Sequence, residues 1–122
     1  PAGSQVGYGG TAITKVDTKL AVIAMGYADG IPRNATSETG VLIGNKMSPI
    51  IGRVSMDQFV VDLGSESQAR AGDWAYIIGS PKRDSYTSAN CYTADSWAAA
   101  CGTINYEIVT RISPRVARVY LD

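Results

Sequence analysis

The sequence has no histidine, one phenylalanine and two cysteines in 122 residues, and no excess of either charge, with 11 Lys and Arg against 11 Asp and Glu. Without imidazole, most zinc sites and every triad that uses histidine as its base are excluded. Proton transfer near neutral pH is left to Tyr, Lys, a carboxylate or Cys, or to a group on another chain. Zero net charge argues against a nucleic-acid or anionic-membrane surface, which calls for clustered Lys and Arg. No apolar run is long enough to span a bilayer, and no signal-peptide pattern precedes the globular part. Cys91 and Cys101 are too few for a disulfide framework, so a reducing compartment, the cytoplasm, is expected. No metal site is expected. A chain of this length reads as one domain, residues 1–122, and buries roughly two-thirds of its unfolded surface, enough for a core without staples. It begins at Pro1 rather than Met, which leads us to expect a further segment upstream.

What is present is glycine, 13 of them, with strand-like runs between. Residues 18–26 (TKLAVIAMG) form a continuous apolar run, as for a strand buried on both faces, and it ends at an Asp29-Gly30 turn followed by Pro32. Val41–Ile43 and Met47–Val54 flank Gly44-Asn45-Lys46, which suits a tight hairpin. Pro49 hints at an edge or a bulge. Gln58–Leu63 and Trp74–Ile78 read as further strands around a polar loop over 64–72. Residues 80–92 are polar and turn-rich, so a long surface loop is expected. Thr93 suits the N-cap of a helix over Ala94–Cys101 closed by Gly102, and 104–112 shows helical spacing up to Pro114. Arg115–Leu121 alternates as a last strand. The expected fold is mostly β, a small closed or partly open barrel with a short helical excursion near the C-terminus, because closure removes the edges of many short strands.

Five stretches set reactive or anion-binding groups beside glycine or proline: Tyr8-Gly9-Gly10-Thr11, Gly26–Arg33 (GYADGIPR), Ile51–Gly64 (IGRVSMDQFVVDLG), Gly102–Glu107 (GTINYE) and Thr110–Tyr120 (TRISPRVARVY). Taken singly, each has an ordinary structural explanation: a loop aromatic, a strand-ending turn, an internal ion pair, a core aromatic and a basic surface. Together, in this order and spacing, they closely resemble the C-terminal β domain of bacterial alanine racemase, from about residue 6 to the C-terminus. Two departures stand out. Gly7 occupies a place where a small hydroxyl residue is usual, and the 80–92 loop is longer than typical.

The resemblance implies a pyridoxal 5′-phosphate enzyme interconverting L- and D-alanine for peptidoglycan precursors, a homodimer whose N-terminal barrel carries the cofactor on a lysine. The C-terminal domain of one subunit then reaches over the barrel of the other. Tyr8 matches the tyrosine that handles one of the two proton transfers at the substrate α-carbon. Tyr27 resembles a second tyrosine at the mouth of the site. Met56 resembles the residue whose backbone N–H holds the substrate carboxylate, and Tyr106 the one that reaches the cofactor phosphate. Arg33, Arg53, Asp57, Ile104 and Arg118 match the entrance corridor, where positive charge attracts a carboxylate. None of the four lysines (Lys15, Lys19, Lys46, Lys82) lies in a stretch like the cofactor-binding lysine motif, so this chain alone is expected to bind no cofactor and racemise nothing. Two alternatives stay open: a serine or broad-specificity racemase of the same architecture, against which Tyr106 leans, and a non-catalytic β-barrel binding or dimerisation module.

Overall fold

The computed structural model describes residues 2–3, 5–6, 12–13, 17–81 and 90–120. Its elements are β1 (Gln5–Val6), β2 (Ala12–Ile13), β3 (Leu20–Ile23), a 3-10 turn (Tyr27–Asp29), β4 (Gly40–Ile43), β5 (Lys46–Pro49), β6 (Phe59–Asp62), β7 (Ala75–Tyr76), α1 (Ala94–Cys101) and α2 (Asn105–Thr110). The chain is mostly β, with two short helices late in the sequence, as its patterning implies.

All ladders are antiparallel. β1 pairs with β2, β3 with β6, and β4 sits between β5 and β7. A bridge from Ile50 to Val61, with the Ile51 N–H donating to the Val60 carbonyl at 2.9 Å, ties the residues after β5 to β6. The strands therefore run on in the order β3–β6–β5–β4–β7. Among the described residues no ladder joins β7 back to β3, so this series is open and no closed barrel forms there.

The hairpin lies where Gly44-Asn45 predicts it. Ile43 faces Lys46 across a two-residue turn in which Gly44 (φ 56°) and Asn45 (φ 44°) are both left-handed, the backbone that glycine and asparagine tolerate best. β4 is buried at all four positions, and β6 alternates, turning Phe59 and Val61 inward. These meet Ile31, Val41, Ile43, Ile50, Trp97 and Ile108 in one core. Trp97 anchors α1 there, its indole N–H donating to the Ile77 carbonyl at 2.8 Å.

Several expectations change. β3 is shorter than residues 18–26 and is not buried on both faces: Leu20 and Val22 are exposed, so one face of the strand is left uncovered among the described residues. β5 ends at Pro49, although the Ile50 N–H still donates to the Thr39 carbonyl at 2.9 Å, and β7 shrinks to two residues. The segment 80–92 is not wholly a surface loop, since Cys91 and Tyr92 are in the interior and the Gly79 N–H donates to the Tyr92 carbonyl at 2.7 Å. Residues 82–89 lie outside the described residues. Of the helical spacing over 104–112 only Asn105–Thr110 is helix, with Ile108 alone fully inward. Residues 115–120 form no strand. Their alternation meets no partner strand, and Val119 and Tyr120 face solvent.

Candidate functional site

The site is built from two turns locked face to face. In the first, the Asp29 carboxylate accepts the Gly26 N–H at 2.9 Å through Oδ2, while the Asp29 N–H donates back to the Gly26 carbonyl at 2.9 Å. This ties off the turn that carries Tyr27. In the second, the Ser55 N–H donates to the Gln58 carbonyl at 2.9 Å and folds the turn that carries Met56 and Asp57. The turns are then stitched together: the Tyr27 N–H donates to the Ser55 carbonyl and the Ala28 N–H to the Met56 carbonyl, each at 3.0 Å. Gly26 is required here, because a Cβ at that position would overlap both the Ser55 and the Met56 carbonyl oxygens.

This stitching has a directional consequence. A peptide unit is planar and trans, so its C=O and the following N–H point oppositely. Fixing the Ser55 and Met56 carbonyls on the Tyr27 turn aims the N–H groups of Met56 and Asp57 away from it. Neither N–H has a partner among the described residues. Adjacent free backbone donors are suited to an anion such as a carboxylate.

A third segment locks this pair. The Ser113 N–H donates to the Asp29 carbonyl at 2.9 Å, and a Cβ on Gly30 would strike the Arg111 carbonyl. Arg115 then forks its guanidinium, with Nε 2.6 Å from Asp29 Oδ1 and Nη2 2.9 Å from Asp57 Oδ1. The Arg115 hydrogen bond, helped by the Gly26 N–H, holds the Asp29 carboxyl below its usual value. A carboxyl lowered in the folded state stabilises the fold above its unfolded value, and that contribution is lost as pH falls through the lowered one.

The arginines of the expected corridor divide. Arg33 and Arg53, joined by Arg111, line a cleft of about 890 Å3 with no carboxylate in its wall among the described residues. Neither Arg33 nor Arg53 has an ion-pair partner among the described residues, and the exposed Arg111–Glu107 pair at 3.9 Å contributes little. Arg118 does not line that cleft. Its guanidinium donates to the carbonyls of Ile112 (3.0 Å), Ser113 (2.7 Å) and Val116 (2.6 Å), bracing the turn that replaces the expected last strand. Asp57 is held by Arg115.

Tyr106 and Ile104 sit at the start of α2, both exposed, with no side-chain hydrogen bond from the Tyr106 hydroxyl among the described residues. The structure thus brings together Tyr27, Met56 and Asp57 directly, and Arg33 with Arg53. Tyr8 lies outside the described residues. Sequence reasoning missed Asp29, Arg111 and Arg115 as members of the site. Asp29 carries a local signal, a carboxylate three residues after a turn glycine. Nothing local marks Arg115, whose two partners lie 86 and 58 residues away.

Fold and site together define a class: a small β domain that presents aromatic, cationic and free backbone donors outward from interlocked turns. The chain matches the family described as "Alanine racemase, C-terminal domain" over residues 1–120, and it belongs to that family. It is 50% identical to the alanine racemase of Beutenbergia cavernae over 121 residues, 99% of this chain and 30% of that protein. The crystal structure of alanine racemase from D-cycloserine-producing Streptomyces lavendulae superposes with a TM-score of 0.87 at 51% identity, covering 100% of this chain and 30% of that one. A third, the alanine racemase of Bartonella henselae with covalently bound pyridoxal phosphate, gives a TM-score of 0.82 at 31% identity over 98% of this chain and 31% of that one. The chain spans about 30% of the length of these relatives.

Proposed function

We propose that this chain is the C-terminal domain of an alanine racemase that interconverts L- and D-alanine with pyridoxal 5′-phosphate, supplying D-alanine to peptidoglycan precursors. The match over residues 1–120 carries this reading. The partners are the N-terminal barrel of the same enzyme and that of a second subunit in a homodimer. A cytoplasmic setting accords with a chain holding only two cysteines, Cys91 and Cys101.

The residues present fit the rim of a cofactor site rather than its seat. Tyr106 offers a hydroxyl donor on a side chain open to solvent, suited to a phosphate arriving from outside the domain. The described lysines are spent on carbonyls, Lys19 on Ser67 and Lys46 on Leu63. When bound, the cofactor spreads the charge left on the substrate α-carbon.

This domain's own residues bind, orient and exchange a proton. The Met56 N–H, aimed outward by the stitched turns, receives the substrate carboxylate. Tyr27 stands beside it at the mouth of the site. Arg33 and Arg53 attract the carboxylate of the zwitterionic substrate at the entrance, with Asp57 and Ile104 assigned to the corridor and Arg118 bracing the turn behind it. Tyr8 gives and takes a proton at its hydroxyl oxygen on one face of the α-carbon. An unperturbed phenol titrates near pH ~10, so that exchange needs cationic neighbours, which this domain, lacking histidine, leaves to the barrel.

The test is Tyr8→Phe in the full-length enzyme. Cofactor absorbance should persist while racemisation falls at least about a hundredfold in both directions, the usual worth of a positioned acid–base group. An unchanged rate removes Tyr8 from proton transfer. Substrate panels separate alanine from serine.

A further inference from the structure

We propose that Arg115 is a positioning residue for the substrate-carboxylate site, holding the turn that bears Met56 against the turn that bears Tyr27 through its fork on Asp57 and Asp29. The inference rests on the racemase reading above.

The two ends of the fork are anchored very differently. Asp29 is fixed without Arg115: its Oδ2 caps Gly26, its carbonyl accepts Ser113, and the glycines on either side pack where no Cβ fits. Asp57 is the free end. Its side chain is 68% exposed, and Arg115 is its only side-chain partner among the described residues. The guanidinium therefore carries the rigidity of the Asp29 turn across to the Met56-Asp57 peptide. The second turn's other ties are backbone bonds, its own Ser55–Gln58 closure and those to Tyr27 and Ala28, which set the direction of the Met56 N–H but do not hold the Asp57 side chain. Arginine suits the task because its planar fork serves two carboxylates at once, which a lysine ammonium on a flexible stem does not reproduce. Among the described residues the Arg115 side chain bonds Asp29 and Asp57, so its effect passes through Asp57 to the Met56 N–H.

The experiment uses the full-length enzyme with Arg115→Met, Arg115→Lys, Asp57→Asn and the Arg115→Met/Asp57→Asn double variant, measuring KM and kcat for alanine, cofactor absorbance and melting temperature. Arg115→Met should raise KM about tenfold, the worth of one hydrogen bond to a charged group, with kcat changed less than about threefold. Arg115→Lys should recover part of the loss. The double variant should be no worse than the poorer single one, because both remove the same tie. Unchanged KM, a loss confined to kcat, or additive effects in the double variant overturn the proposal. Should Arg115→Met fail to fold, Arg115→Lys and Asp57→Asn decide by the same KM criterion. A wild-type enzyme that does not racemise alanine overturns the racemase reading, and this proposal with it.

Discussion

Thr39 and Ser48 illustrate what a single residue costs in this interior. Both are buried, and neither hydroxyl has a hydrogen-bond partner among the described residues. A buried polar group without a partner carries a desolvation penalty that a shape-matched apolar group does not. Thr39→Val should therefore stabilise the protein by about 1 kcal/mol in denaturant melts. A loss of stability would mean that the hydroxyl is satisfied in solution. Gly26 shows the opposite constraint, where absence of a side chain is what allows two turns to be stitched together. In the interlocked turns the same economy holds: Asp29 uses one carboxylate oxygen to close its own turn and the other to receive Arg115.

At the scale of elements, those with both ends marked in sequence formed where expected. α1 begins at Thr93, whose hydroxyl accepts the Ser96 N–H at 3.0 Å while the Ser96 hydroxyl accepts the Thr93 N–H at 2.7 Å, and it ends at a left-handed Gly102. Thr93→Ala should cost about 1 kcal/mol and expose Trp97, read as a lowered melting temperature with shifted tryptophan fluorescence. A change below about 0.3 kcal/mol would show that the packing of Trp97 alone holds α1, as surface-like substitutions do. The β4–β5 hairpin is of the same kind, fixed by Gly44-Asn45. Residues 115–120 are the contrast. Their alternation is a property of the segment, but a strand needs a neighbour, and Arg118 instead gathers three nearby carbonyls into a turn.

The whole molecule leaves much of its apolar surface uncovered. Val22, Met56, Trp74, Ile104 and Tyr106 are all more than half exposed, an arrangement suited to a domain that meets other protein. The exposed set includes Met56 and Tyr106, so the proposed site faces outward rather than into this domain. Purified by itself, the chain should therefore show no visible cofactor band on mixing with pyridoxal phosphate and no turnover of alanine in a coupled assay. A band accompanied by turnover would mean that the seat of the cofactor lies within these 122 residues. Among the described residues no helix is long and apolar enough to cross a membrane.

By itself the sequence determined what depends on neighbouring residues. Turn glycines placed the hairpin, Thr93 and Gly102 bounded α1, and the apolar runs marked β4 and β6 as strands. It also specified the family through the order and spacing of five short motifs. Tertiary structure alone decided what depends on residues far apart in the chain. Whether a strand is covered on one face or two is set by what packs above and below it, so the open face of β3 could not be read from its own apolar run. Local pattern likewise gave no sign that Arg115 would reach Asp29 and Asp57, because charge pairing acts through space across separations of 86 and 58 residues.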